Sequence, residues 1–181
     1  MNKTAQACLL LALGALPPLV SADVILLGKT SSKISAYLKP NNNLFVTDDT
    51  GGWFAQGLEM AQLGGWDTPY EVRARLRIVS STGVFQVRLD EPLQMRNASN
   101  AAQVFRQPRV DLGAEGEMPK TLAVGQGTSF NNPPRPAPGE DSTGYYGLTV
   151  SAYPPDGSFK ETSGAYSGVL SLTFEPVITD P

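Results

Sequence analysis

Apolar and polar residues alternate along much of the chain, most regularly after residue 70. From Glu71 to Ile78 every second residue is apolar: Val72, Ala74, Leu76 and Ile78. A period of two places alternate side chains on opposite faces, so this stretch predicts a half-buried antiparallel strand. Turn residues follow at 80–83, and a second alternating run then contains Phe85, Val87 and Leu89. The two runs together predict a β-hairpin.

More short strands are predicted towards the C-terminus. Apolar residues alternate at Tyr146, Leu148, Val150 and Ala152, and a Pro/Gly-containing turn at 154–157 follows. In the last run, Gly168–Phe174, we predict that three side chains point inward: Leu170, Leu172 and Phe174. Weaker strands are predicted at Leu44–Thr47, Gln107–Leu112 and Thr121–Val124, and short helices around Ala55–Leu63 and Asn97–Phe105. Short strands with polar turns between them predict an all-β fold, an antiparallel β-sandwich.

The first 22 residues have the pattern of a secretory signal peptide. Lys3 precedes an apolar run over residues 7–20, which ends in the small residues Ser21 and Ala22. We predict that residues 1–22 are removed on export. The alternative is a retained membrane anchor, but the apolar run is short and contains two prolines.

Residues 23–39 form an N-terminal extension ahead of the sandwich domain, which we place at 40–181. In its second half Ile34, Ala36 and Leu38 alternate with polar residues and with Tyr37. One interpretation is that this segment is the first strand of the sandwich. The other is that it adds as a strand to a different molecule, with main-chain hydrogen bonds giving affinity and alternate side chains filling pockets.

Composition narrows the possible functions. The chain of 181 residues has no histidine, which excludes Ser/His/Asp triads, Cys/His dyads and His-ligated metals. Its only cysteine, Cys8, lies in the predicted signal peptide. The net charge of -3 and the absence of a consecutive Lys/Arg run argue against binding to nucleic acid or to an anionic membrane surface. We predict that the protein is not an enzyme and has no cofactor, metal or catalytic residue.

Other groups of residues admit a structural and a functional interpretation. The acidic pairs are solvated turn carboxylates or, alternatively, a glycosidase or calcium site: Asp48–Asp49, Asp90–Glu91 and Glu140–Asp141. Trp53 and Trp66 cap the core or form a sugar-stacking platform. Four arginines form a stripe that we assign to one sheet face, either solvated or facing an anionic receptor: Arg73, Arg75, Arg77 and Arg88.

Three segments resemble one known family. The segment Gly164–Leu172 (GAYSGVLSL) is similar to the closing strand of fimbrial major subunits of the coli-surface-antigen, or colonisation-factor-antigen, type. The resemblance extends to Tyr70–Leu93 and to Ile34–Pro40 (ISAYLKP). These subunits are alpha-class chaperone-usher pilins. The extension is longer than the family pattern by residues 23–32.

The resemblance implies an incomplete immunoglobulin-like sandwich that is completed by donor-strand addition. A periplasmic chaperone would fill the groove first, and the extension of an identical or homologous subunit would replace it after delivery to an outer-membrane usher. Ile34, Ala36 and Leu38 would be the donor side chains. The edge of the acceptor groove would be lined by Leu170, Leu172 and Phe174.

The tail at 175–181 runs past the usual end of the family pattern. If Val177 and Ile178 folded back, they would fill part of the groove and weaken the case for polymerisation. We expect Pro176 to interrupt a continuous ladder in this segment.

The leading hypothesis is therefore a structural subunit of a surface fibre, exported through the periplasm to the cell surface. The alternatives are a minor or tip adhesin that binds a host glycan or protein through Trp53 or Trp66, and a matrix or coat β-sandwich. An enzyme would have to be a carboxylate-dependent hydrolase.

Overall fold

The strands of this protein belong to two main sheets. The computed structural model describes residues 43–52, 54, 57–65 and 68–178. The predicted signal peptide, the extension and both tryptophans lie outside these residues. The strands are β1 (Leu44–Asp48), β2 (Ala61–Gln62), β3 (Tyr70–Ser80), β4 (Val84–Leu89), β5 (Arg96–Asn97), β6 (Arg106–Ala114), β7 (Lys120–Thr121), β8 (Thr128–Asn131), β9 (Ser142–Tyr153), β10 (Tyr166–Ser167) and β11 (Leu172–Pro176).

The larger sheet has the order β1-β3-β9-β6-β7, with β2 also paired to β3. Its longest ladder joins β3 to β9, antiparallel, from Tyr70 opposite Ala152 to Ser80 opposite Ser142. The predicted alternation is confirmed here, because Ala74, Leu76 and Ile78 are buried whereas the arginines between them lie on the outer face. The second sheet has the order β11-β4-β8, and β10 pairs with β5 separately.

The predicted hairpin between β3 and β4 is wrong. The two strands do not pair; the turn between them carries the chain from the larger sheet to the smaller one. Gly83 makes this turn with φ +75°, a conformation that glycine adopts readily. Both strands still alternate because each packs one face against the same core. The alternation therefore predicts burial but does not identify the partner strand.

The core lies between the two sheets. From the larger sheet it receives Leu76, Ile78, Leu112, Tyr146 and Leu148, and from the smaller sheet Phe85, Val87, Leu89, Phe130 and Phe174. At the end of the sandwich near residues 80–84, the Tyr146 ring packs edge-on against Phe85 at 5.3 Å between centroids. Asn132 Nδ2 donates to the carbonyls of Ile78 and Ser142 nearby, at 2.9 and 3.1 Å. This end of the sandwich is closed by packed rings and paired polar groups.

Both predicted helices are wrong. Residues 57–63 contain β2 and no helix, and residues 97–105 begin in β5 and continue through turns. The buried Asn97 explains the second case, because its Oδ1 accepts from the Ser99 N–H at 2.8 Å, a turn-forming bond that competes with a helix. A short helix that was not predicted, α1 (Phe159–Thr162), begins after Ser158 in a Ser158/Glu161 capping box.

The C-terminal segment extends β11 along β4. Leu172 to Pro176 pair with Leu89 to Phe85, and the Val177 N–H donates to the Val84 carbonyl at 3.0 Å. The expectation that Pro176 would interrupt this ladder is wrong. The Ser171 carbonyl accepts from the N–H of Asp90, the residue after β4, just as Val177 donates to β4 at the other end. The odd-numbered residues of β11 therefore face β4, and the nitrogen of Pro176 faces the outer edge, where no bond to β4 is lost. Residues 175–178 do not fold back.

Candidate functional site

An apolar cavity of about 780 Å³ opens between the two sheets. It lies away from the closed end, beside the halves of β3 and β9 that are farthest from the 81–83 turn. The larger sheet contributes Val72, Leu76, Leu148 and Val150 to its lining, and the segment after β4 contributes Leu93 and Met95. The cavity interrupts what would otherwise be a continuous core.

One border of the cavity is β11 together with the residues just before it. Leu170, Leu172 and Phe174 all line the cavity, as the sequence predicted for their inward face. Their backbone groups share an orientation as well, because odd-numbered residues of β11 bond to β4 and even-numbered ones point the other way. Within the described residues, no strand pairs with this outer edge. The edge thus offers apolar side chains and backbone donors and acceptors together.

The other borders come from loops. Residues 57–60 and Gln62 of β2, which pairs with β3, form one of these borders, and residues between 154 and 168, including part of α1, form one end. At this end the Phe105 ring packs edge-on between Tyr70, at 5.2 Å, and Tyr166, at 4.9 Å. Exposed apolar side chains mark the opening: Leu58, Phe159 and Val169. The cavity therefore presents apolar surface to its opening.

Asp90 fixes the outer face of β11. Its carboxylate accepts hydrogen bonds from the hydroxyls of Ser171 and Thr173, both at 2.7 Å. Burial by itself would raise the pKa of Asp90, but these two hydrogen bonds and the charge of Arg88 together lower it below its usual value. Arg88 also lies 3.0 Å from Glu175. These side chains hold the strand that borders the cavity.

The structure describes only some of the residues that the sequence singled out for a site. Leu170, Leu172 and Phe174 line the cavity, whereas Ile34, Ala36, Leu38, Trp53 and Trp66 lie outside the described residues. The lining residues Leu93, Met95, Phe105 and Tyr166 were not predicted. The alternation of β4 continues through Leu93 and Met95, so the sequence pattern could have identified these two as inward-facing residues. Phe105 lay within a wrongly predicted helix.

The Asp48–Asp49 pair lies at a turn after β1, as its structural interpretation predicted. Asp48 Oδ1 accepts from the N–H groups of Thr50 and Gly52, at 2.9 and 2.8 Å, as expected for a turn. The Thr50 hydroxyl also donates to Asp48 Oδ1. This bond is the main cause that lowers the pKa of Asp48 below its usual value, and the N–H groups add to it.

The arginine stripe does not lie on one face: Arg73, Arg75 and Arg77 are on β3, but Arg88 is on β4 in the other sheet. The assignment failed because it assumed the hairpin.

The described residues contain no group of three or more His, Cys, Asp or Glu side chains placed to hold a metal ion. No helix in the same ranges has the length and apolarity needed to cross a bilayer.

The described residues form antiparallel sheets with an immunoglobulin-like arrangement, which confirms the predicted all-β, immunoglobulin-like fold class. A family model described as the CS1 type fimbrial major subunit matches residues 30–175, and the chain belongs to this family. It is therefore a structural subunit of a fimbrium at the cell surface, and its family is not a class of enzymes. This assignment favours the structural subunit over a tip adhesin or a coat protein.

A solved pilin structure has the same fold as this chain. The CooA pilin subunit from enterotoxigenic Escherichia coli superimposes with a TM-score of 0.51 at 12% identity, over 76% of this chain and 99% of that one. A chain from a chaperone-tip adhesin complex of CFA/I fimbriae biogenesis has a TM-score of 0.46 at 17% identity, over 75% of this chain and 43% of that one. No curated protein sequence matches significantly.

Proposed function

We propose that subunits of this protein polymerise by donor-strand exchange, with the extension 23–39 of one subunit filling the cavity of the next. Ile34, Ala36 and Leu38 are the donor side chains, and Leu170, Leu172 and Phe174 form the acceptor edge. The observation that carries the proposal is the outer edge of β11, where cavity-lining side chains and available backbone groups belong to the same residues. An added strand would satisfy both at once.

The energetics favour a stable association. Burial of the two large donor side chains contributes about 1.5–3 kcal/mol each, and each ladder hydrogen bond adds about 0.5–1.5 kcal/mol. Without the donor, the cavity exposes apolar surface and a strand edge, both of which promote aggregation.

The position of Asn43 supports donation to another molecule. The Asn43 N–H donates to Ser81 Oγ and its carbonyl accepts from the Ser81 N–H, both at 2.9 Å, so the extension leaves at the closed end. A donor strand antiparallel to β11 would place Leu38 beside Leu170. Leu170 lies about 23 Å along the strand from Val177, at roughly 3.3 Å per residue. Five residues joining Leu38 to Asn43 span at most roughly 17 Å. The shorter reach of this linker favours donation to another subunit in this direction.

The same exposed surface explains the partners that we propose for assembly. A periplasmic chaperone would cover the cavity after residues 1–22 are removed on export, and an outer-membrane usher would receive the subunit for exchange. The assembled fibre would then support adhesion to a host receptor.

The test uses the alternation of the donor segment. The change Ile34→Asp with Leu38→Asp places charge on the predicted inward face, and we expect fibres to be lost in electron micrographs. The matched control, Ser35→Asp with Tyr37→Asp, adds the same charge to the outward face and should leave fibres intact. Fibres of normal length from the first variant would overturn the proposal.

A further inference from the structure

We infer that the donor segment lies antiparallel to β11 in one register, with Ile34 opposite Phe174, Ala36 opposite Leu172 and Leu38 opposite Leu170. This inference rests on the proposed function, because it specifies how the extension of one subunit sits in the cavity of another. It adds a register-setting contact between Lys33 of the donor and Glu175 of the acceptor.

The spacing of the apolar residues supports this alignment. Both segments carry three apolar residues with a period of two, so one antiparallel register matches all of them. A shift by one residue would turn the donor side chains outward. A shift by two in one direction buries Ser32 opposite Phe174, and in the other direction it places Pro40 opposite Leu170.

Two prolines limit the ladder. The even-numbered residues of β11 direct their backbone groups to the outer edge, but Pro176 has no N–H to offer there. In the proposed register Pro176 faces Ser32, and Pro40 of the donor faces Gly168. The three apolar pairs lie between these prolines, so each of them can exchange both of its backbone hydrogen bonds.

Charge selects the same register. Glu175 lies on the outer face of β11 with its side chain 52% exposed, where it pairs with Arg88 at 3.0 Å. In the proposed register it faces Lys33, whereas in the registers shifted by two residues it faces Ser31 or Ser35. Because exposed ion pairs contribute little to affinity, this contact acts mainly on the choice of register.

A disulfide scan measures the register directly. The chain has no cysteine after Cys8, so introduced thiols are the only ones in the predicted mature subunit. An acceptor subunit carries Glu175→Cys, and a donor subunit carries Ser31→Cys, Lys33→Cys, Ser35→Cys or Lys39→Cys. Directly opposed residues without mutual backbone bonds lie about 4.5 Å apart at Cα, which is suitable for a disulfide. Lys39→Cys detects a donor that runs parallel to β11, because Lys39 would then lie opposite Glu175.

The two populations are co-assembled and mildly oxidised, and dimers are quantified on non-reducing gels. Single-population samples control for donor-donor and acceptor-acceptor disulfides. We expect Lys33→Cys to give at least about fivefold more dimer than any other donor position. If fibres form but the dimer yield peaks at another position or at none, the register is wrong and the proposed function remains. If fibres instead form normally from the Ile34→Asp/Leu38→Asp subunits, the proposed function fails, and the register fails with it.

Charge reversal tests the contact itself without cysteines. We expect Lys33→Glu to slow assembly by about fivefold, Glu175→Lys to do the same, and the double variant to recover most of the rate. The matched control is Lys39→Glu, which faces Val169 in the proposed register and should have a smaller effect. Slowing by both single changes without recovery in the double variant would overturn the Lys33–Glu175 contact.

Discussion

The hydroxyl of Thr173 donates a hydrogen bond to the carboxylate of Asp90 at 2.7 Å, across the outer face of β11 and β4. Ser171 donates to the other oxygen of the same carboxylate. We expect Asp90→Ala to lower the free energy of unfolding by about 1–3 kcal/mol, because it removes both bonds from the strand that borders the cavity. Urea denaturation of the subunit measures this change.

The neighbouring Glu91 provides the matched control for Asp90. It is an exposed carboxylate on the same turn, so Glu91→Ala should change the free energy of unfolding by less than about 0.5 kcal/mol. Equal losses from the two changes would show that Asp90 does not hold β11.

The lowered pKa of Asp90 predicts a pH dependence. A carboxyl whose pKa is lower in the folded state stabilises the fold above its unfolded pKa of about 3.9, and this contribution is lost as the pH falls through the folded pKa. The difference in unfolding free energy between the natural protein and Asp90→Ala should therefore be full at pH 6 and reduced at pH 2. A difference that is constant over this range would contradict the assignment.

Tyr146 closes the other end of the sandwich. Its side chain is buried, and its hydroxyl lies 2.8 Å from the Asn131 carbonyl and 2.9 Å from Asn132 Oδ1. We expect Tyr146→Phe to lower the free energy of unfolding by about 1 kcal/mol. Tyr145→Phe, on the outer face, should have no measurable effect. Similar losses from the two changes would contradict this role for the Tyr146 hydroxyl.

Burial, with a further contribution from the charge of Glu117, raises the pKa of Tyr146 to about 12. The folded state therefore keeps this phenol neutral at a pH where the unfolded chain ionises it, and stability should fall as the pH rises above about 10. Tyr146→Phe should weaken that decline in alkaline thermal melts. An identical decline in both proteins would show that Tyr146 does not cause it.

Arg75 belongs to a solvated ion-pair group on the outer face of β3. It donates to both carboxylate oxygens of Glu115, at 2.6 and 3.1 Å, and lies 4.3 Å from the centre of the Tyr145 ring. Arg75→Ala should cost less than about 1 kcal/mol and leave fibre assembly unchanged, because exposed ion pairs contribute little. Loss of fibres in electron micrographs would instead identify this face as a contact between subunits.

The sequence predicted burial better than it predicted pairing. The period of two in β3 and β4 correctly identified the buried side chains, because that period follows from local backbone geometry. The same pattern suits a hairpin and a connection between facing sheets, so it could not distinguish them. The partner strands of β3 and β4 include β9 and β11, which lie far along the chain.

Part of the cavity lining lies in one strand that the sequence predicted. Leu170, Leu172 and Phe174 lie in one alternating run, so their shared face follows from the sequence. Tyr166 and Phe105 meet at the far end of the cavity through pairing between β5 and β10 and through the turns after β5. No local period connects those segments.

The central claim is that the cavity binds the donor segment of another subunit. The most direct measurement is the melting temperature of the Ile34→Asp/Leu38→Asp subunit, whose own donor is disabled, with a synthetic peptide of residues 30–40. At about 100 times its dissociation constant the peptide should stabilise the subunit by about 2.7 kcal/mol and raise the melting temperature. A peptide with the same two substitutions should have no effect. An unchanged melting temperature with the natural peptide at millimolar concentration would contradict the claim.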